Sequence, residues 1–412
     1  MAARHRARVL SRPYWAFDDI FIARKAVAHD ETDEPALRPQ RRRRTAALTR
    51  RARHAAAGRG ASVSGGPSRR LFAGGYTGDA EHAGIHTLAF DEDRGEARVV
   101  RTDGCAPNPS YLARRGPFLY AAHELDACGR MASYAIEADG SLTCRGACTA
   151  PRDAGTCFVL PDPSGCSLYG ANYLSGSIGC CALLDDGRLV AGLPSRRHEG
   201  RGLRDDRQEA PHVHSLSFVP GTRLLVAVDL GIDALVIYPV DACGAIAPEP
   251  VETVRVAAGS GPRMVAYHPR LPVAALANEL ACNVLLFRFD EAGLHWRPVA
   301  QLTLPQTPDG DALAAHIAFA PDGRQLYASV RGSDRLATFQ VDERGRAAGR
   351  WDVGCGGRGP RHFALSPDGR FLAVANLASD DVRLFERDAA DGAVRAVAHV
   401  HVPQPACVVW DA

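Results

Sequence analysis

Lysine is almost missing from this 412-residue chain: Lys25 is the only one, and arginine supplies every other basic side chain apart from histidine. With abundant alanine and glycine, this skew reads as codon-composition bias and carries no functional assignment. No apolar run approaches the length that spans a bilayer, so no membrane partner is expected. The one N-terminal apolar cluster, Tyr14 to Ile22, is interrupted by Asp18 and Asp19. It falls short of the apolar core of a secretory signal, and a cytoplasmic protein is expected. None of the twelve cysteines forms a Cys-x-x-Cys pair. Cys144 and Cys148, and the neighbours Cys180 and Cys181, make poor zinc-ligand sets, and reduced, mostly buried thiols are expected. The chain also lacks a strand-to-helix glycine loop for nucleotides and a Gly-x-Ser-x-Gly nucleophile elbow.

The net charge of +2 conceals two unlike parts. Residues 1–70 hold 17 Arg and Lys against 6 Asp and Glu, which leaves the other 342 residues with a net charge of −9. An acidic body argues against nucleic-acid binding there. The basic stretch, with Arg41 to Arg44 and Arg50, Arg51 and Arg53, has no strand-like alternation and too little apolar surface to offset the entropy of ordering; residues 1–70 are expected to form a disordered extension.

From Leu71 a repeat of near-fifty-residue period begins, and six units start at Asn108, Thr156, His212, Pro262, Ala315 and Pro360. Each opens with a short β run, turns at a Pro/Gly element such as Asp162-Pro163-Ser164-Gly165 or Pro321-Asp322-Gly323, and continues with a second apolar run. A third strand, a polar turn and a fourth strand follow. Four antiparallel strands per unit describe a propeller blade, whose open edges are protected by radial packing. Leu71 to Tyr76 and Ile85 to Phe90 lack a first partner, and Pro405 to Trp410 is a lone last strand; pairing them closes a seven-bladed all-β propeller over residues 71–412. A closed ring leaves no strand edge that must pair, so a monomer or weak homodimer is expected.

The richest stretch runs from Arg207 to Asp233. As a hairpin with strands near His212 to Val219 and Arg223 to Val228, it brings His212 and His214 beside Asp229, both imidazoles on one strand face. The same reasoning sets Asn108 and Ser110 opposite His123 and Glu124, Thr156 and Phe158 opposite Asn172 and Tyr173, and Arg263 opposite Asn278 and Glu279. It sets His316 opposite Val330 and Arg331, and Arg361 and His362 opposite Asn376. If the first strand of each blade lines the channel, these groups converge at one mouth. Singly, an Asn or Asp at a strand end can cap a turn and an Arg can pair with the next blade. A fold by itself does not require Arg207, His212, His214, Glu279, Arg331 and Arg361 to converge.

At this density of motifs the chain from about Leu71 to Trp410 resembles the seven-bladed β-propeller lactonases, the family of the propeller-type 6-phosphogluconolactonases and of the fungal 3-carboxy-cis,cis-muconate cyclases. The resemblance rests on Asn108-Pro109-Ser110-Tyr111-Leu112, Ala171-Asn172-Tyr173-Leu174-Ser175-Gly176-Ser177, His198-Glu199-Gly200, Arg207-Gln208-Glu209-Ala210-Pro211-His212-Val213-His214, Gly261-Pro262-Arg263, Asn278-Glu279-Leu280 and Gly359-Pro360-Arg361-His362, in order and at blade spacing. The chain departs from the family where Thr156-Cys157-Phe158 replaces Pro-Cys-His, where Met264 replaces a His, and where His123, His316 and Val330 replace an Asn, a Glu and an Asn.

The resemblance implies hydrolysis of a sugar-acid lactone, with 6-phospho-D-glucono-1,5-lactone of the pentose phosphate pathway as the leading substrate. His212 or His214, with an ordinary imidazole pKa near ~6.5, would serve as general base, and Glu279 as the alternative. Arg207 would stabilise the oxyanion. Arg263, Arg331 and Arg361 would hold a phosphate, with Asn172, Gln208, Asp229, Asn376 and His316 completing the substrate site. Nothing in such a scheme calls for a metal or organic cofactor. Two other readings share these residues: a cycloisomerase acting on a muconate-type dicarboxylate, and a propeller that binds a ligand or protein without turnover.

Overall fold

The computed structural model describes residues 68–77, 84–104, 107–190 and 193–411. The expectation for residues 1–70 therefore falls almost wholly outside the described residues. Seven antiparallel sheets follow one another in the chain, and the seventh-blade closure expected from the two chain ends is present. In blade 1 the last strand, Pro405–Trp410, pairs with the first, Ser68–Gly75, in a register that sets Leu71 opposite Trp410 and Phe72 opposite Val409; Ile85–Asp91 and Glu96–Asp103 complete the sheet. The first strands of blades 2 to 7 are Pro109–Arg115, Thr156–Pro161, Val213–Phe218, Pro262–Tyr267, Leu313–Phe319 and Pro360–Leu365. Each touches the first strand of the next blade, and Pro405–Trp410 joins blade 7 to blade 2, so these seven strands form a closed ring around the axis.

Burial grades outward across each blade as the sequence dictates. The second strands, such as Val273–Asn278 and Phe371–Asn376, are buried throughout because neighbouring blades cover both faces. Fourth strands such as Arg297–Thr303 are almost wholly exposed. The core consequently lies between blades: Val226, Val228, Leu235 and Ile237 of blade 4 pack on Val265, Ala274, Leu276, Phe287 and Trp296 at blade 5. Each fully buried aliphatic side chain stabilises the contact by ~1.5–3 kcal/mol. The only helix among the described residues is the one-turn 3-10 segment Leu377–Ser379.

The turns follow the expected chemistry. Asp162 accepts the Ser164 amide at 2.7 Å, and Gly165 sits at φ 87°, which an L side chain resists.

The cysteines correct one expectation. Cys148, on the outermost strand Leu142–Ala150 of blade 2, is joined by a disulfide to Cys181 on the third strand of blade 3, with Cα atoms 6.7 Å apart. Two residues 33 apart in sequence meet because neighbouring blades pack face to face. The other nine described cysteines are free, five of them buried; Cys105 lies outside the described residues.

Candidate active site

Two hairpin rules place the polar groups. The start of each first strand faces the end of the second, as in the pairs Val213 with Asp229, Thr156 with Asn172, Pro262 with Asn278 and Pro360 with Asn376. A bulge at that point in each of these blades turns the residue after the first pair out of the ladder. In blade 6 the bulge takes up two residues, so Leu313 and Ala314, not His316, face Arg331 and Val330.

Glu279, fully buried just after the second strand of blade 5, is the centre of one cluster. Its backbone is fixed on both sides, its amide donating to Gly261 O at 2.7 Å and its carbonyl accepting the Ala314 amide at 3.3 Å. Arg207 Nη2 donates to Oε1 at 2.7 Å, Arg263 Nη1 donates to Oε2, and Arg331 Nη2 lies 3.1 Å from Oε2. Burial alone would push this carboxyl up; Arg331, Arg263 and Arg207 override it and hold it well below the usual carboxylate range. Arg263 also donates through Nε to Ala315 O of blade 6 at 2.9 Å.

The two imidazoles of the opening strand of blade 4 have distinct surroundings. Arg263 Nη1 faces Nε2 of His214, so the ring is neutral, accepts there and carries its proton on Nδ1. Burial and the Arg263 charge drive its pKa well below the ordinary value. Nδ1 has no protein acceptor among the described residues. His212 donates from Nδ1 to Tyr173 O at 2.9 Å and stacks on the Tyr173 ring at 4.3 Å, leaving Nε2 3.2 Å from the exposed carboxylate of Glu209. His214 meets the same Tyr173 ring edge-on at 5.5 Å.

The hairpin register sets Val213, between the two histidines, opposite Asp229 as expected, but it is the His212 backbone that meets the carboxylate. Asp229 accepts the backbone amides of His212 at 2.7 Å and Gly231 at 2.9 Å on Oδ1, and Nδ1 of His198 meets its Oδ2 at 2.7 Å. Gly231 must be glycine here, since a Cβ would lie 1.9 Å from Ala210 O. Gln208, also buried, donates to Leu230 O at 2.8 Å and accepts the Arg204 amide at 3.2 Å. These two residues pin the loop that carries Arg207. Asn172 bonds Thr156 and Ser177 within blade 3, at 2.7 and 3.1 Å, and Asn376 donates to Cys355 O at 3.3 Å. None of these four lines the channel cavity.

A second cluster lies across the channel. Arg361 of blade 7 donates to Tyr76 Oη at 2.9 Å, and Tyr76 donates to Oε2 of Glu124 in blade 2 at 2.9 Å. Glu124 and Arg361 line one cavity with Ser110, His214 and Arg263, and all seven blades contribute to its wall. The cavity holds about 20 Å³, room for about one water. Three of the residues that depart from the family pattern line it: Phe158 packs on Tyr111 at 4.1 Å, His316 on His362 at 3.9 Å, and Met264 is the third. Burial lowers the His362 pKa to about 3 and that of His316 well below normal. Cys157, also on the wall, is no ready nucleophile: burial pushes its thiol up, and it donates to His214 O.

The sequence reading missed Tyr76 and gave Glu124 no role. The available signal was positional: Tyr76 follows the Ser68–Gly75 strand as Glu279 follows Val273–Asn278. Among the described residues no group of three or more His, Cys, Asp and Glu is placed to hold a metal ion, and no helix is long and apolar enough to cross a membrane.

Comparison with known proteins bears on the fold and the family. The family model described as "Lactonase, 7-bladed beta-propeller" matches residues 70–410. A protein of Bacillus subtilis named 6-phosphogluconolactonase is 30% identical over 344 residues, covering 82% of this chain and 97% of that protein. The solved structure of the Pseudomonas aeruginosa periplasmic gluconolactonase superposes with a TM-score of 0.77 at 29% identity, covering 84% of this chain and 99% of that one. The crystal structure of a protein from Lactobacillus plantarum gives a TM-score of 0.78 at 27% identity, covering 84% of this chain and 99% of that one.

Proposed function

Because the chain belongs to the seven-bladed β-propeller lactonase family, we propose that it hydrolyses a sugar-acid δ-lactone at the mouth of the propeller channel, with 6-phospho-D-glucono-1,5-lactone as the substrate that suits the site best. The observation that carries the reading is the gathering of Arg207, Arg263 and Arg331 on Glu279, with Arg361 across the same channel, in a body of net negative charge. Four guanidiniums around two carboxyls focus an anion at the mouth, and planar paired donors match a phosphate.

A lactone is an activated ester, so the site needs a base for water and donors for the oxyanion. His212 is the base: the Tyr173 carbonyl holds its Nδ1 proton, leaving the Nε2 lone pair, and Glu209 steadies the imidazolium that forms. His214 stays neutral and donates from Nδ1 to the carbonyl oxygen, with Arg207 as the second donor. Glu279, already ionised and held by three guanidiniums, is too weak a base for the water and acts by positioning the arginines. Arg331 and Arg361 are the phosphate donors.

Initial rates on freshly prepared 6-phosphogluconolactone, unphosphorylated gluconolactone and a muconolactone test the proposal. A kcat/KM at least about tenfold higher for the phosphorylated lactone is expected, about 1.4 kcal/mol from the arginines. Preference for the muconolactone would move the reading to dicarboxylate chemistry, and no rate above the spontaneous one on all three would overturn it.

A further inference from the structure

Blade 3 is built differently from the other six. Each of those ends in one fourth strand; in blade 3 its place is taken, among the described residues, by two two-residue pieces, Leu189–Val190 and Arg196–Arg197, both paired with the third strand, Ser177–Leu183. The second piece pairs with Ser177 and Ile178 and so ends beside the turn that precedes them. That turn, residues 173–176, is the one that holds His212: the Tyr173 carbonyl accepts its Nδ1 proton, and the Tyr173 ring stacks on its imidazole.

The residue that the short piece delivers is His198. Its amide donates to Gly176 O at 2.9 Å, and the Gly176 amide donates to Tyr173 O at 3.4 Å. Nδ1 of His198 donates to Oδ2 of Asp229 at 2.7 Å. Asp229 in turn accepts the His212 amide at 2.7 Å on Oδ1, while the Leu230 amide donates to His212 O at 2.9 Å. One residue thus joins the turn that orients the His212 ring to the carboxylate that holds the His212 backbone. The turn lies tight against that backbone, since a Cβ on Gly176 would sit 2.5 Å from Pro211 O. His198 is buried, its ring stacks on Tyr238 at 6.0 Å, and its Nε2 has no hydrogen-bond partner among the described residues. Leaving a buried ring nitrogen unsatisfied is unfavourable, so packing alone does not account for a histidine here.

We propose that His198 is a positioning residue for the reaction: it clamps the Tyr173 turn to Asp229 and so sets the direction in which Nε2 of His212 points. The inference rests on the lactonase reading above, in which His212 takes the proton from water. No proton passes between the two histidines, because His198 reaches His212 only through the Asp229 carboxylate and the backbone of the turn. What it governs is the alignment of the base with the attacking water, which counts in the transition state and not in holding the lactone.

Two measurements on the full chain test this. The first needs no substrate: the Nδ1 proton signal of His212 in protein labelled with ¹⁵N-histidine, identified by its loss in His212→Ala. It should persist in His198→Asn, whose carboxamide nitrogen takes the place of Nδ1, and should shift or broaden in His198→Leu. The second is kcat and KM on the phosphorylated lactone, corrected for spontaneous opening. His198→Leu should lower kcat about 10²-fold, the scale of a ~1 Å misalignment, with KM within about threefold, and His198→Asn should recover at least about tenfold of that loss. Should the leucine variant not fold, His198→Gln replaces it with the same expected results, since its carboxamide nitrogen falls at the Nε2 position and misses Asp229. An unaltered His212 signal in the leucine or glutamine variant, a loss confined to KM, or an asparagine variant no better than the leucine one overturns the positioning role alone. A His212 signal that responds to His198 in a protein that opens no lactone overturns the hydrolase reading, and the role of His198 in the reaction falls with it.

Discussion

Arg207, in the loop ahead of blade 4, places Nη2 2.7 Å from Oε1 of Glu279 in blade 5. The contact ties a loop to the wall of the channel, and Glu279 holds Arg263 and Arg331 at the same time. Removing the carboxylate leaves three guanidiniums facing one another out of water. Glu279→Ala should therefore cost about 3–5 kcal/mol in urea unfolding, and Glu279→Gln less. A loss below about 1 kcal/mol for the alanine variant would mean the arginines find other partners.

Acid should weaken the fold in a defined window. His123 and His362 have folded pKa values of about 4 and about 3, both because burial disfavours the charged ring. In the unfolded chain they bind protons near ~6.5, so their contribution is complete above that pH and is lost as pH falls toward the folded values. Each imidazole adds a slope of up to ~1.4 kcal/mol per pH unit. Unfolding free energies measured between neutral pH and about pH 4 should fall accordingly, and His362→Gln should flatten the curve by about one such slope. An unchanged slope in that variant would contradict the buried neutral ring.

Closure of the ring depends on the chain's last strand, which pairs with Ser68–Gly75 and packs Val408 and Trp410 into the cluster shared with blade 7. Deletion from Pro403 onward should lower Tm sharply, since it exposes both the blade 1 edge and that cluster. A melting temperature unchanged by the deletion would argue against closure.

The Cys148–Cys181 bridge links blades 2 and 3. Peptide mapping without reduction should recover the two cysteines in one disulfide-linked pair, and Cys148→Ser should cost about 3 kcal/mol under oxidising conditions. Equal stability of the variant and the oxidised wild type would show that the bridge adds nothing to the folded protein.

Period and pattern made the architecture legible. Strands recur at blade spacing, hairpin register follows from Pro/Gly turns such as Asp162-Pro163-Ser164-Gly165, and the unpaired runs at Leu71 and Pro405 could only satisfy each other. The same register brought Arg263 to Glu279 within one blade. What remained hidden depends on packing between blades. Arg361 and Tyr76 are 285 residues apart and meet only because the ring closes. Cys148 and Cys181 lie on strands of different sheets. Residue type marked out Asn172, Gln208, Asp229 and Asn376, but the hydrogen bonds each makes within its own blade or loop depend on where each side chain points, which the sequence does not announce. His316 shifted by a two-residue bulge that alternation alone does not announce.

The most direct measurement is kcat/KM for 6-phosphogluconolactone in wild type, His212→Ala and Arg207→Ala, each checked for folding by its Tm. Loss of the base should lower kcat/KM by roughly 10²–10⁴-fold, and loss of the Arg207 donor by about 10²-fold or more. Folded variants that retain wild-type kcat/KM would contradict a hydrolytic site at this mouth of the channel.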